Sequence, residues 1–139
     1  MLELNPNQPF SYLIIGICYM QKGQFQDSII ALKKSVELSG NSTEFLSNLA
    51  LGYAASGDSE KAKELLERLE KLSEQKYVSS LKIAMVYTAL GEKDKAFNYL
   101  ELAFVERDGD LGFIIVDPVF DALRSDSKYE AILKKIGLD

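Results

Sequence analysis

The sequence of 139 residues contains no histidine and no tryptophan, and it has a single cysteine. A chain without histidine lacks the imidazole base that activates most serine and cysteine nucleophiles, and it lacks the commonest metal ligand. One cysteine, Cys18, can form neither an intrachain disulfide nor a thiolate zinc cluster. We therefore expect a protein that is not an enzyme and that has no cofactor and no metal site. We expect Cys18 to be a small buried side chain.

Basic residues are fewer than acidic ones: the sequence has 16 lysines and arginines and 21 aspartates and glutamates, which gives a net charge of −5. Binding to nucleic acid without sequence preference requires a basic face that neutralises phosphates, so we expect no nucleic-acid partner. The most apolar stretch, residues 10–20, is too short to span a bilayer, and we expect no membrane partner. The N-terminus carries Glu3 where a secretory signal requires basic residues, which favours a cytoplasmic location.

What the sequence does contain is a unit that recurs at a constant interval. Apolar, tyrosine and glycine positions fall in register three times along the chain. The clearest sets are Ile15, Leu49 and Ile83; Tyr19, Tyr53 and Tyr87; Gly23, Gly57 and Gly91; and Leu32, Leu66 and Leu100. Each unit is predicted to be an apolar helix, a turn in which glycine adopts a positive φ, and a second apolar helix.

This pattern resembles the tetratricopeptide repeat (TPR), a helix–turn–helix unit of about 34 residues. The three units are 9–42, 43–76 and 77–110. The column that holds tryptophan in the family departs from the pattern here, with Tyr12, Leu46 and Ser80. The resemblance implies an all-α fold in which the three helix–turn–helix repeats stack into a right-handed TPR superhelix.

The segment before the first unit, residues 1–8, continues the register. Leu4 lies one repeat length before Leu38, and Pro6 falls in the column where the family keeps its closing proline. We interpret residues 1–8 as the remnant of a preceding TPR second helix, which predicts that the chain is the C-terminal part of a larger protein. An unusual native start is the alternative.

Residues 111–139 are predicted to form a C-terminal capping segment. A stacked repeat leaves an apolar face open at its end, and in the third unit that face carries Phe97 and Phe104. The tail supplies Phe120 for this face, and a capping box that begins at Ser127 predicts a last helix. The tail is similar to the closing segment of many prokaryotic TPR proteins, which implies a signalling or regulatory domain upstream.

In the TPR family, one stripe of each first helix lines a concave groove that binds proteins or peptides. The corresponding positions, the predicted groove, are Phe10, Leu13, Ile17, Met20, Glu44, Ser47, Leu51, Val78, Leu81 and Met85. The stripe is mostly apolar, which predicts a partner with an apolar segment or an amphipathic helix. None of these groove positions holds a basic residue, so the groove lacks the carboxylate clamp of chaperone-binding TPRs. A homodimer through the exposed edge of the first repeat is the alternative to a separate partner.

Overall fold

The computed structural model describes residues 8–106 and 118–135. The predictions that concern residues 1–7, 107–117 and 136–139 lie outside these ranges. In the described ranges every regular element is a helix and none is a strand, so the all-α prediction is confirmed. The chain divides into two compact units, Met1–Val78 and Ser79–Asp139, each of which is considered by itself. The right-handed superhelix stays a prediction.

The helices follow one another in pairs that pack against each other. In the first unit they are α1 (Pro9–Gln21), α2 (Phe25–Leu38), α3 (Thr43–Ser56) and α4 (Ser59–Leu72). In the second unit they are α5 (Ser80–Ala89), α6 (Lys93–Val105), a 3₁₀ helix (Pro118–Leu123) and α7 (Ser127–Lys135). The exact limits of the three predicted repeats, and the role of residues 111–139 as a cap, stay predictions.

A glycine turn joins the two helices of each pair. At the second turn Gly57 has a φ of +91°, and the N–H of Asp58 donates to the carbonyl of Tyr53 over 2.9 Å. The same bond recurs one repeat earlier and one repeat later, from Gln24 to Tyr19 and from Glu92 to Tyr87. A Cβ at Gly57 would meet no atom within 4 Å, so glycine is required here for its backbone conformation and not for space.

Leu32 of α2 lies in the core of the first unit and is completely buried. A Cβ added at Gly16 of α1 would lie 2.7 Å from Cδ2 of Leu32, and one added at Gly52 of α3 would lie 2.7 Å from Cδ1. The hydroxyl of Ser28 donates to the carbonyl of Gly16 over 2.7 Å. Helix α2 therefore approaches α1 closely at Gly16 and α3 closely at Gly52.

The core of the second unit contains residues of the C-terminal tail. Phe120 and Leu123 of the 3₁₀ helix are completely buried, and this helix contacts α5. Helix α7 contacts α6, where Lys128 of α7 places its Nζ 5.9 Å from the centre of the Phe97 ring. The predicted capping box is wrong by one position, because the carboxylate of Asp126 accepts from the N–H of Lys128 at the start of α7.

Candidate protein-binding surface

The predicted groove begins on α1 with Phe10, which is 52% exposed. Its ring meets the ring of Phe45 on α3 edge to face, with 5.1 Å between the ring centres. This contact exists because α1 and α3 are neighbours in the first unit. An aromatic side chain that is held by a ring contact and is about half exposed offers a large apolar surface to a partner.

Four further residues of the predicted groove keep part of their surface open. Ile17, Met20 and Leu51 are half-buried, and Glu44 is exposed. The Cε of Met20 lies 3.8 Å from the position that a Cβ at Gly52 would take, which places the methionine beside α3. We call Phe10, Ile17, Met20, Glu44 and Leu51 the accessible groove residues. All five belong to α1 and α3 of the first unit.

The other half of the predicted groove is buried. Its members and their exposed fractions are Leu13 at 6%, Ser47 at 2%, Val78 at 7%, Leu81 at 2% and Met85 at 8%. The hydroxyl of Ser47 donates to the carbonyl of Thr43 within its own helix, over 2.8 Å. These side chains contribute to the core in this conformation, so contact with a partner would require repacking. Their role in binding stays a prediction.

The expectation that Cys18 is buried is wrong, because its side chain is exposed. Cys18 lies one helical turn after Ile14, which is 46% exposed, and both belong to the same side of α1. This stripe starts at Phe10, one turn before Ile14. Cys18 has apolar neighbours in the sequence, but this side of α1 is open to solvent.

A second depression lies between α1 and α2, and the sequence analysis did not predict it. We call it the end groove; its volume is about 570 Å³ and it is lined by Tyr12, Ile15, Tyr19, Asp27, Ile30, Ala31, Lys33, Lys34 and Glu37. Ile30 is 68% exposed. A signal was present in the repeat register, since the residues one and two repeats after Ile30 are the polar Glu64 and Asn98.

Two further properties of the described residues concern other classes of function. No helix in the ranges 8–106 and 118–135 combines the length and the apolar character that a bilayer span requires. In the same part of the chain, no three acidic or cysteine side chains are grouped as ligands of a metal ion.

Helix pairs that recur at a constant interval and turn at a positive-φ glycine define an α-helical repeat protein. The family model described as tetratricopeptide repeat matches residues 11–42 and 79–104. These matches and the helical repeats of the structure together support a tetratricopeptide repeat protein. It has no significant match among curated proteins or among solved structures. Tetratricopeptide repeats generally mediate protein–protein interaction and are typically not catalytic.

Proposed function

We propose that the chain is a noncatalytic scaffold that binds another protein through the accessible groove residues of its first unit. The observation that carries this proposal is the exposed Phe10, whose ring contacts Phe45 of α3, together with the partly open Ile17, Met20 and Leu51 of the same two helices. The partner contributes an apolar segment or one face of an amphipathic helix. Neither a cofactor nor a nucleic acid takes part.

The chemistry of the groove supports an apolar partner. Helix α1 contains no charged residue, and Glu44 is the only charged member of the predicted groove. Burial of apolar area then supplies the binding free energy, at about 25 cal/mol per Å² removed from water. Met20 adds a flexible side chain that can adjust to partners of different shape.

The substitution Leu51→Lys is expected to weaken binding of an amphipathic helix at least tenfold, because it places a charge in the apolar part of the groove. A helical peptide selected from a displayed library against the wild-type chain serves as the probe. Its Kd is measured by fluorescence anisotropy at low and high salt, and circular dichroism verifies that the variant is folded. Wild-type affinity should change little with salt.

The control variant is Leu102→Lys, at an exposed leucine of α6 outside the predicted groove. This variant should bind the peptide as the wild type does. Equal affinity of the Leu51→Lys and wild-type chains, or a steep loss of affinity with salt, would show that the groove is not the binding site.

A second candidate function is self-assembly through the exposed edge of the first repeat. The observation that favours it is the outer stripe of α1, which consists of Phe10, Ile14 and Cys18 and is open to solvent. Two copies with a net charge of −5 each repel one another over most of their surfaces. The uncharged α1 is a surface on which they can meet without that repulsion.

If the chain self-associates in this way, its mass in light scattering should rise towards twice the monomer mass as the concentration increases. Ile14→Glu should then return it to a monomer, because two glutamates would face each other in the contact. In hydrogen exchange, α1 should become the most protected helix on association. A monomeric mass at every concentration contradicts this second function and leaves the first intact.

A further inference from the structure

A further depression of the first unit lies between α2, α3 and α4, and the proposed function does not use it. Its volume is about 360 Å³. We call it the basic depression; it is lined by Lys33, Leu49, Tyr53, Lys61, Glu64, Leu65 and Arg68. Lys33 comes from α2 on one side, and the last four residues come from α4 on the other. Because described helices bound it on both sides, its openness does not depend on what precedes α1.

The basic depression carries a positive charge in a chain that is acidic overall. Three of its side chains are cations and one, Glu64, is an acid, which gives a local charge of +2 against −5 for the whole chain. The end groove, by comparison, is lined by two acids and two lysines, which balance. An anionic group is therefore attracted to the basic depression and repelled by the rest of the chain.

Two of the three cations are available to such a group. The third, Lys61, lies 3.9 Å from a carboxylate oxygen of Asp58, and its Nζ lies 5.5 Å from the centre of the Tyr53 ring. The side chains of Lys33 and Arg68 make neither an ion pair nor a hydrogen bond with any residue in the ranges 8–106 and 118–135. Arg68 can bind a carboxylate through two parallel N–H groups, and Lys33 adds a second charge.

The buried part of the lining adds a neutral donor. Leu49 and Tyr53 are each 6% exposed, whereas the three cations are exposed. The hydroxyl of Tyr53 forms no hydrogen bond with any described residue, and its oxygen is not sealed from solvent. A buried tyrosine hydroxyl usually has a hydrogen-bond partner. The depression thus combines an apolar base, an O–H donor without an acceptor and two unpaired cations.

We propose that the basic depression binds an acidic segment of a partner protein, in which a glutamate or aspartate stands next to an aliphatic side chain. Arg68 and Lys33 bind the carboxylate, and the Tyr53 hydroxyl donates to it. The aliphatic neighbour packs on Leu65, which is half-buried. None of the accessible groove residues lines this depression, so the proposal does not depend on the groove between α1 and α3.

The charge and the lining together favour an acidic protein segment over other anions. A nucleic acid presents a run of phosphates, and one depression with three cations on an acidic chain does not neutralise such a run. A small inorganic anion would leave the apolar residues of the lining uncovered. An acidic segment with aliphatic side chains covers both parts of the lining at once.

The probe is a fluorescein-labelled peptide of sequence Glu-Leu-Glu-Glu-Leu-Glu, compared with a peptide in which every glutamate is replaced by glutamine. Each is titrated into the full chain by fluorescence anisotropy, at low and at high salt. At low salt the glutamate peptide should bind at least tenfold more tightly than the glutamine peptide. Its affinity should fall steeply as salt is added, in contrast to binding at the accessible groove residues.

Three variants place the binding in the depression. Arg68→Glu should weaken binding of the glutamate peptide at least tenfold, because a carboxylate then repels it. Tyr53→Phe keeps the ring and removes only the hydroxyl, and it should weaken binding at least threefold. The matched control is Lys63→Glu, which makes the same change of charge on α4 at an exposed residue outside the depression and should change the Kd less than twofold. Circular dichroism verifies that each variant is folded.

Four results would overturn the proposal. The first is equal or undetectable binding of the two peptides. The second is an equal loss of affinity in Arg68→Glu and Lys63→Glu, which would mean attraction to the overall charge, and the third is unchanged affinity in Tyr53→Phe, which would mean attraction to surface cations only. The fourth is a wild-type dimer that dissociates in Arg68→Glu, which would make a second copy the occupant. Leu51→Lys separates this site from the proposed function, because it should not weaken binding of the glutamate peptide.

Discussion

Replacing Phe120 with alanine is expected to lower the free energy of unfolding of the second unit by about 3–5 kcal/mol. The ring is completely buried in a 3₁₀ helix that contacts α5, so its removal leaves a cavity and forfeits the burial of an aromatic side chain. Urea denaturation followed by circular dichroism measures the loss. A cost of this size is a large part of the total stability of a small domain.

Val105→Ala serves as the control for Phe120→Ala. Val105 is 73% exposed at the end of α6, and its truncation should change the free energy of unfolding by no more than about 0.5 kcal/mol. Near-wild-type stability of the Phe120→Ala chain would show that the tail does not contribute to the core of the second unit in solution, and the proposed capping role would then fail.

The second large effect is expected at Leu32, where alanine should cost about 2–5 kcal/mol. The leucine is completely buried, and its two methyl groups lie 2.7 Å from the positions that a Cβ at Gly16 and a Cβ at Gly52 would take. Urea denaturation of the single variant gives the cost.

Gly52→Ala tests the contact between Gly52 and Leu32, because its effect on the free energy of unfolding should change sign when Leu32 is replaced by alanine. In the wild-type chain its Cβ would lie 2.7 Å from Leu32, and the overpacking should cost about 1–3 kcal/mol before the better helix propensity of alanine returns about 1 kcal/mol. In the Leu32→Ala chain the clash is gone, so the same substitution should stabilise by about 1 kcal/mol. If Gly52→Ala has the same effect in both backgrounds, the two residues are not in contact.

The repeat register made much of the fold predictable. Positions one repeat apart have the same structural role because each helix pair packs in the same way. The glycine turns at Gly23, Gly57 and Gly91 all have a positive φ. Leu32, chosen as a recurring leucine, is among the most buried residues of the chain. The glycine turns depend on contacts within one helix pair, whereas Leu32 packs against its own pair at Gly16 and against the next pair at Gly52.

The candidate site was harder to predict, because exposure depends on how the pairs pack. The spacing of apolar residues along α1 does not show that Phe10 is about half exposed whereas Leu13, one turn later, is buried. The end groove was missed for a related reason: Ile30 was treated as one more apolar residue of a second helix. Comparison with Glu64 and Asn98 in the same column would have singled it out as an apolar residue at a surface position.

The order of contacts along the chain has a consequence for the kinetics of folding. Helix contacts such as α1 with α2, α2 with α3 and α5 with α6 join neighbours in the sequence, so each requires the closure of a short loop. The contact between α5 and Pro118–Leu123 is different, because the whole of α6 lies between its two sides. Non-local closures cost more entropy and form more slowly. The return of the tail to α5 should therefore be the last and slowest step in the folding of the second unit.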